Sequence, residues 1–228
     1  MIIKDLCINA WSILTHPRWW FRGKNQIILS KVNCRGSNKL RGKRSFINKS
    51  DILVVGSRAE IELGECELFN CNIFMRGEGH RLVIEDGVRL HNVSIRIIGW
   101  NNLIRIGTAS TIGSGQIVCG GKGISIMVGK NCMFAGGTDI WSTDTHSVLQ
   151  DGVLVNEPES ITIGDHVWLG KDVAILKGVT IGDNAVVGMR SLVTKDIRPG
   201  TLNAGSPAKE IREGIEWTRS NPNNEPGQ

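Results

Sequence analysis

The sequence predicts an all-β fold, a left-handed parallel β-helix solenoid, and three observations lead to this prediction. The 228 residues include 28 Gly, 5 Phe and no Tyr, a turn-rich composition that is unusual for a compact globule. Residues 163–198 divide into six-residue words without a break in register. A weaker copy of the pattern recurs upstream at a spacing of 22 residues. The length fits one domain, or one repeat array with short extensions.

The six-residue words place an aliphatic residue first and a small or β-branched residue fifth. The first positions are Ile163, Leu169, Ile175, Ile181, Val187 and Val193. Neither the helical period of 3.6 nor the strand period of 2 produces this pattern. A coil with flat sides of six residues does, because each side stacks one inward residue on its equivalent in the next coil. The glycines that follow these positions are expected to adopt corner conformations that a Cβ would penalise, at Gly164, Gly170, Gly182 and Gly188.

The repeat extends upstream with insertions. Ile84, Ile106 and Val128 occupy equivalent places in three successive copies. We expect the coils to begin between residues 30 and 50. The predicted β-helix domain therefore spans residues 31–204 and follows a basic, aromatic extension at residues 1–30.

Two segments depart from the repeat. Residues 140–160 lack the aliphatic register, which predicts a loop that projects from one coil. Apolar residues at helical spacing within residues 205–220 predict a short C-terminal capping helix. The polar tail at residues 221–228 is predicted to be disordered.

The N-terminal region is strongly basic. Residues 1–50 hold 11 Lys and Arg against one acid, Asp5, whereas the remainder holds 16 basic and 21 acidic residues. This asymmetry predicts attraction to a phospholipid surface, an acidic polysaccharide or a nucleotide-linked sugar, or else a solvated face. An amphipathic pattern followed by an aromatic basic cluster predicts either peripheral membrane association through residues 1–25 or a helix packed on the solenoid or a neighbouring subunit.

The sequence composition also limits the cellular compartments and the kinds of partner that we expect. No apolar run approaches the roughly 18 residues of a spanning helix, and no secretory signal pattern is present. We therefore expect a cytoplasmic protein, at the inner face of the membrane if residues 1–25 bind lipid. The six cysteines form no CxxC pair, so we expect no metal, and we expect no nucleic-acid partner.

Residues 161–212 resemble the signature of the hexapeptide-repeat acyltransferases. The segment reads ITIGDHVWLGKDVAILKGVTIGDNAVVGMRSLVTKDIRPGTLNAGSPAKEIR, and TDTHSV at residues 143–148 is a second matching motif. The similar branch contains galactoside, maltose and xenobiotic acetyltransferases and bacterial capsule sialic acid O-acetyltransferases. The resemblance covers roughly residues 80–212. It implies acetyl-CoA as cosubstrate, a carbohydrate acceptor and a homotrimer with active sites between subunits.

Attack of a sugar hydroxyl on a thioester requires a base at the hydroxyl. Of the five histidines, His146 lies in the non-repeating TDTHSV segment and matches the family's catalytic histidine. We predict that it is the general base. Asp144 is predicted either to orient the imidazole through its second ring nitrogen or to make a side-chain bond within its own turn.

The resemblance also assigns roles around the thioester. It places Trp168 near the thioester and implies that the Lys171 backbone N–H stabilises the oxyanion. An outward tryptophan is expected to cover a ligand or a neighbouring subunit. Trp141 is predicted to line the acceptor pocket or simply to pack. The implied coenzyme contacts are Gly170, Lys171, Gly188, Met189, Thr194, Lys195, Lys209 and Arg212. Relatives commonly have a small residue at the position of Met189.

Together these expectations describe an acetyl-CoA-dependent O-acetyltransferase. The acceptor would be a sugar hydroxyl of a bacterial capsule or lipopolysaccharide glycan, or its precursor, with direct transfer in a ternary complex. N-acetylation of a nucleotide-linked amino sugar is the alternative, because both reactions use a histidine base. A γ-class carbonic anhydrase would need three histidines around zinc, which the histidine spacing does not supply. A non-catalytic solenoid would not explain the interruption that carries TDTHSV.

Overall fold

The computed structural model describes residues 26–28, 31–34 and 37–220, and within these ranges it contains only strands, turns and irregular segments. Three parallel sheets wind into a solenoid of about seven turns, which fits a left-handed β-helix and confirms the predicted fold class. Sheet A contains β1 (Gln26–Ile28), β4 (Phe46–Asn48), β7 (Glu67–Phe69), β10 (Arg89–His91), β13 (Thr111–Ile112), β16 (Met133–Phe134), β21 (Trp168–Leu169), β24 (Val186–Val187), β26 (Thr201–Gly205) and β27 (Ala208–Glu213).

The two other sheets complete the triangular cross-section. Sheet B contains β2 (Lys31–Cys34), β5 (Asp51–Ser57), β8 (Asn72–Glu78), β11 (Val93–Trp100), β14 (Gly115–Lys122), β17 (Thr138–Trp141), β22 (Ala174–Ile175) and β25 (Leu192–Val193). Sheet C contains β3 (Lys39–Gly42), β6 (Glu60–Leu63), β9 (Arg81–Ile84), β12 (Leu103–Ile106), β15 (Ser125–Val128), β20 (Ile161–Ile163) and β23 (Thr180–Ile181). A separate antiparallel pair, β18 (Leu149–Gln150) and β19 (Val153–Leu154), lies in the loop predicted at residues 140–160.

The core is a set of aliphatic columns that run along the solenoid axis. The column of sheet B shows the principle, because one inward side chain from each strand stacks on the next in strict register. Its members are Ile52, Ile73, Ile95, Ile117, Ile140, Ile175 and Val193. Each is almost fully buried, which stabilises the fold by about 1.5–3 kcal/mol per side chain.

Coil length changes along the array. Upstream coils contain 20 to 23 residues, because β5, β8, β11 and β14 are seven or eight residues long. The coil that carries the loop spans 35 residues, the next coil contains 18, three six-residue words, and the last one spans 16. The regular six-residue register is therefore restricted to the C-terminal part of the solenoid.

The glycines after the first aliphatic position are required for a reason other than the predicted one. Gly170 does not adopt a left-handed conformation; a Cβ there would lie 2.6 Å from the Met189 backbone nitrogen in the next coil. The left-handed residue is instead the fourth of the first five words, as at His166 and Asp172, with φ of 55° and 58°. Close stacking of successive coils, rather than backbone conformation, thus excludes a side chain at Gly170.

The array begins earlier than predicted. β1 pairs with β4 and β2 pairs with β5, so residues 26–28 already belong to the first coil and not to the extension at residues 1–30. The helix predicted near the N-terminus and the tail 221–228 lie outside the described residues. In the described part of the chain, no helix is long and apolar enough to cross a membrane.

The prediction of a C-terminal helix at residues 205–220 is wrong. Residues 208–213 form β27, which pairs antiparallel with β26, and Ile211 is exposed. β26 is the last parallel strand of sheet A, so its edge offers backbone donors and acceptors that a returning strand satisfies. Residues 214–220, called here the C-terminal strap, continue without regular structure and return along sheet A.

A polar pair is buried at the corner between sheets B and C. His80 and Asn102 occupy equivalent positions in consecutive coils, and each is 1% exposed. His80 Nε2 lies 3.1 Å from the Arg76 carbonyl oxygen, and His80 Nδ1 accepts the Asn102 backbone N–H at 3.3 Å. The neutral tautomer with its proton on Nε2 satisfies both contacts. Burial lowers the pKa of the His80 imidazole, because the charged form loses its hydration there.

We expect the free energy of unfolding to decrease as the pH falls below about 6.5, the ordinary pKa of histidine. In that range the unfolded chain binds a proton at His80 and the folded chain does not, so acid favours unfolding. His80→Asn, which copies the residue of the next coil, should remove this contribution. Urea denaturation of both proteins at about pH 5 and about pH 7.5 measures it. An equal loss of stability in both proteins would contradict the expectation.

Candidate active site

The loop that interrupts the solenoid presents His146 on a strained turn. The His146 backbone N–H donates to the Asp144 carbonyl at 2.7 Å, and the residue between them, Thr145, has φ of 62°. Such a conformation is rare for a β-branched residue, and strain of this kind clusters at functional sites.

The His146 side chain is exposed, with only one of its ring nitrogens engaged. Thr145 Oγ1 lies 3.0 Å from His146 Nδ1, and no described residue hydrogen-bonds Nε2. In the tautomer that donates from Nδ1 to the hydroxyl, Nε2 presents a lone pair to solvent. A general base requires this arrangement.

Asn156 holds this turn from the far side of the loop. Its Nδ2 donates to the Asp144 carboxylate at 2.9 Å and to the His146 carbonyl at 2.8 Å. Its Oδ1 accepts the Val148 backbone N–H at 2.7 Å. One side chain therefore fixes three residues of the TDTHSV motif. Sequence reasoning missed Asn156, because it follows His146 by ten residues in a segment without repeat register.

Asp144 binds Lys177 rather than the imidazole. The Lys177 ammonium donates to Asp144 Oδ2, the oxygen that also accepts from Asn156. These contacts, led by Lys177, lower the pKa of the Asp144 carboxyl group. The structure places Asp144 in neither predicted role: it ties the loop to the next coil, and Thr145 takes the position at Nδ1.

Trp168 lies on a different face of the solenoid. It points outward from β21, in register with Met133 on one side and Val186 on the other. Its side chain remains 38% exposed. Trp217 of the C-terminal strap packs against it at 6.0 Å between ring centroids, whereas the predicted cover was a ligand or a neighbouring subunit.

The Lys171 backbone N–H, predicted to stabilise the oxyanion, is unpartnered among the described residues. At the corner between sheets C and A, the equivalent N–H groups of Lys130 and Asp165 donate to the aspartates of the next coil, Asp165 and Asp183. The residue stacked on Gly170–Lys171 is Met189, whose side chain offers no oxygen acceptor. The methionine that departs from the family pattern thus leaves this N–H available to a ligand.

The remaining predicted residues are distributed over several places. The corner between sheets A and B carries Gly170, Lys171, Gly188 and Met189, the corner between sheets B and C carries Thr194 and Lys195, and β27 carries Lys209 and Arg212. Trp141 is half-buried on the outer face of sheet B, at the end of β17. His146 leaves from the corner between sheets B and C, since its loop joins β17 to β20. Within one chain, the loop that carries His146 and the Trp168–Lys171 group therefore start from different corners of the solenoid.

The chain is similar in sequence to several known proteins. The family model described as "Bacterial transferase hexapeptide (six repeats)" matches residues 160–195. The chain is 36% identical over 137 residues to the polysialic acid O-acetyltransferase of Neisseria meningitidis, covering 59% of this chain and 63% of that protein. It is 41% identical over 92 residues to the galactoside O-acetyltransferase of Escherichia coli strain K12, covering 39% and 44%. These alignments span less than two thirds of either curated relative.

Two solved structures are similar over most of both chains. The polysialic acid O-acetyltransferase OatWY is 31% identical, with a TM-score of 0.73 over 88% of this chain and 92% of that chain. The polySia-specific acetyltransferase NeuO is 27% identical, with a TM-score of 0.68 over 85% and 86%. At this coverage the similarity extends beyond the 80–212 region that carries the sequence resemblance.

Proposed function

The chain belongs to the hexapeptide-repeat acetyltransferase family, and from this we propose that it transfers an acetyl group from acetyl-CoA to a hydroxyl group of an acidic bacterial capsule polysaccharide. The observation that carries the proposal is the similarity to OatWY, which covers about nine tenths of both chains at 31% identity. The basic N-terminal region, with 11 Lys and Arg in residues 1–50, favours an anionic acceptor.

The proposed reaction uses His146 as the general base. Its Nε2 takes the proton of the sugar hydroxyl while the hydroxyl oxygen attacks the thioester carbonyl carbon. The resulting oxyanion accepts a hydrogen bond from the unpartnered Lys171 N–H. When the intermediate collapses, the carbon–sulfur bond breaks and the imidazolium returns its proton to the departing thiolate. The products are an acetyl ester on the sugar and free coenzyme A.

The loop contacts suit this role, because they fix the base before substrate binds. Thr145 Oγ1 lies beside Nδ1 of His146, and Asn156 binds the His146 carbonyl and the Val148 backbone N–H. Lys177 anchors the turn to the next coil through Asp144. A base that is already oriented does not lose rotational freedom when the transition state forms.

We further propose a homotrimer with the active sites between subunits. Within one chain, His146 leaves the corner between sheets B and C, whereas Trp168 and Lys171 lie on sheet A and the corner after it. The reaction requires all three at one thioester. A rotationally symmetric trimer supplies them by pairing the loop of one subunit with sheet A of its neighbour.

Mixed trimers test this arrangement. Co-expression of His146→Gln and Trp168→Ala chains, each nearly inactive alone, should restore one active site in each mixed trimer, about a third of its sites, because a shared site is intact only when its His146 comes from the Trp168→Ala chain and its Trp168 comes from the His146→Gln chain. The kcat of differently tagged, co-purified mixed trimers measures this. If each site were built within one chain, no site in the mixture would be intact and activity would stay at the level of the single variants.

The acceptor class is tested by thiol release from acetyl-CoA in the presence of acidic polysaccharides, neutral glycans and nucleotide-linked amino sugars. The proposal expects release with an acidic polysaccharide that depends on His146. Release with amino sugars alone would favour the N-acetyl reaction. Release with neutral glycans alone would retain O-acetylation but remove the acidic acceptor.

A further inference from the structure

The C-terminal strap lies on sheet A through a ring stack at Trp217. The indole of Trp217 stacks on the imidazole of His166, with 4.0 Å between centroids and 6° between planes. Trp217 Nε1 donates to the His166 carbonyl at 2.7 Å, and His166 Nε2 lies 2.9 Å from the Trp217 carbonyl oxygen. The strap is therefore held by one stack and two hydrogen bonds at a residue two positions before Trp168.

Arg219 supplies a second attachment, further back along the solenoid. Its guanidinium donates to four acceptors at 2.7 to 3.2 Å, which are Asn131 Oδ1, Thr111 Oγ1 and the carbonyls of Ala109 and Cys132. Asn131 also joins the two attachments, because its Nδ2 lies 2.8 Å from His166 Nδ1. The strap thus crosses three coils with a defined register.

These contacts are not needed to bury the core. The aliphatic columns are closed by the coils themselves, and residues 214–220 are all exposed or half-buried. The strap instead contacts the outward indole of Trp168. The ring centroids of Trp217 and Trp168 are 6.0 Å apart, and their planes are tilted by 43°. On sheet A this indole is otherwise flanked by the strand neighbours Met133 and Val186. The strap therefore supplies an aromatic wall on one side of Trp168.

We propose that the C-terminal strap is a positioning element for acetyl transfer, in which Trp217 fixes the orientation of the Trp168 indole beside the thioester. The proposal rests on the proposed function. Trp217 itself need not touch a substrate; it acts by restricting an exposed side chain that does. Small displacements of a group beside the reacting atoms reduce the rate strongly, by up to about 10²-fold for 1 Å.

The kinetic test compares three substitutions in the strap. Trp217→Ala should lower kcat by about tenfold while the KM for acetyl-CoA changes less than about twofold, because the effect is on orientation rather than affinity. Trp217→Phe, which keeps a ring against His166 and Trp168, should retain most of the rate. Glu216→Ala, an exposed neighbour on the same strap, is the matched control and should behave like wild type. Equal kcat in all four proteins would overturn the proposal, and so would a higher kcat in Trp217→Ala, which would mean that the strap obstructs the site.

A second readout does not depend on turnover. In protein labelled with 5-fluorotryptophan, the fluorine resonance of Trp168, identified by its loss in Trp168→Phe, should shift or broaden in Trp217→Ala and stay unchanged in Glu216→Ala. An unchanged Trp168 resonance in Trp217→Ala would overturn the positioning role. If wild type shows no acetyl transfer, the proposed function fails, and the resonance still decides whether Trp217 orders Trp168.

Discussion

Replacing His146 with glutamine should lower kcat for acetyl transfer by about 10² to 10⁴-fold, the range that a positioned general base contributes. The imidazole is exposed on a turn that Asn156 and Asp144 hold, so its removal should not disturb the solenoid. The KM for acetyl-CoA should remain within a few-fold of wild type, because the loss falls on the transition state. Steady-state thiol release with a saturating acidic polysaccharide measures both constants.

A second histidine provides the control for this result. His91 lies on β10 of sheet A, 3.3 Å from the Glu67 carboxylate, and belongs to neither group of predicted site residues. His91→Gln should leave kcat unchanged. If His146→Gln kept more than about a tenth of the wild-type kcat, a general base at His146 would be excluded.

Replacing Gly77 with alanine should destabilise the protein by more than about 3 kcal/mol, through strain and overpacking combined. Gly77 has φ of 127°, and an added Cβ would lie 1.9 Å from the Gly99 carbonyl oxygen in the next coil. It would also lie 2.9 Å from the buried His80 imidazole. The backbone oxygen cannot move aside without breaking the register between β8 and β11.

The Gly123→Ala variant is the control that separates the effect of the Cβ clash from that of the backbone strain. It also has a positive φ, 71°, but an added Cβ would meet nothing within 4 Å. Gly123→Ala should therefore cost only about 1–2 kcal/mol, the penalty of a left-handed alanine. Urea unfolding of the two variants measures the difference. A similar decrease in the free energy of unfolding of both variants would mean that the coils at Gly77 are not too closely stacked for a side chain.

The fold was predictable because burial repeats in every coil. The aliphatic residue at the first position of each six-residue word stacks inward. Ile163 and Leu169 are examples, and both are fully buried. The 22-residue spacing of Ile84, Ile106 and Val128 was likewise confirmed, since these residues are register partners on sheet C. Local sequence is informative here because each coil contacts only its neighbours.

The C-terminal region was not predictable on the same basis. The spacing of Ile211 and Ile215 is compatible with a helix, but the open edge of β26 decides the outcome, and that edge exists only after the solenoid has formed. The role of Trp217 was hidden for the same reason, because its partners His166 and Trp168 are about fifty residues away in sequence.

The candidate site, like the fold, could be predicted from the sequence only in part. His146 was identified because the segment around it breaks the repeat and matches a family motif. Its supporting contacts from Thr145, Asn156 and Lys177 depend on how the loop closes, which no periodic pattern encodes. That Met189 leaves the Lys171 backbone N–H without a partner could be recognised only from the structure, which shows that Met189 stacks on Lys171 in the next coil. An aspartate at position 189 would accept a hydrogen bond from this N–H, as Asp183 does from Asp165.

The proposed O-acetylation is tested by transfer of labelled acetyl from [1-¹³C]acetyl-CoA to an acidic capsule polysaccharide. We expect a ¹³C carbonyl signal in an ester on a sugar hydroxyl, removed by mild alkali and absent when His146→Gln replaces wild type. Label in an alkali-stable amide on an amino sugar, or no label on any acidic polysaccharide, would contradict it.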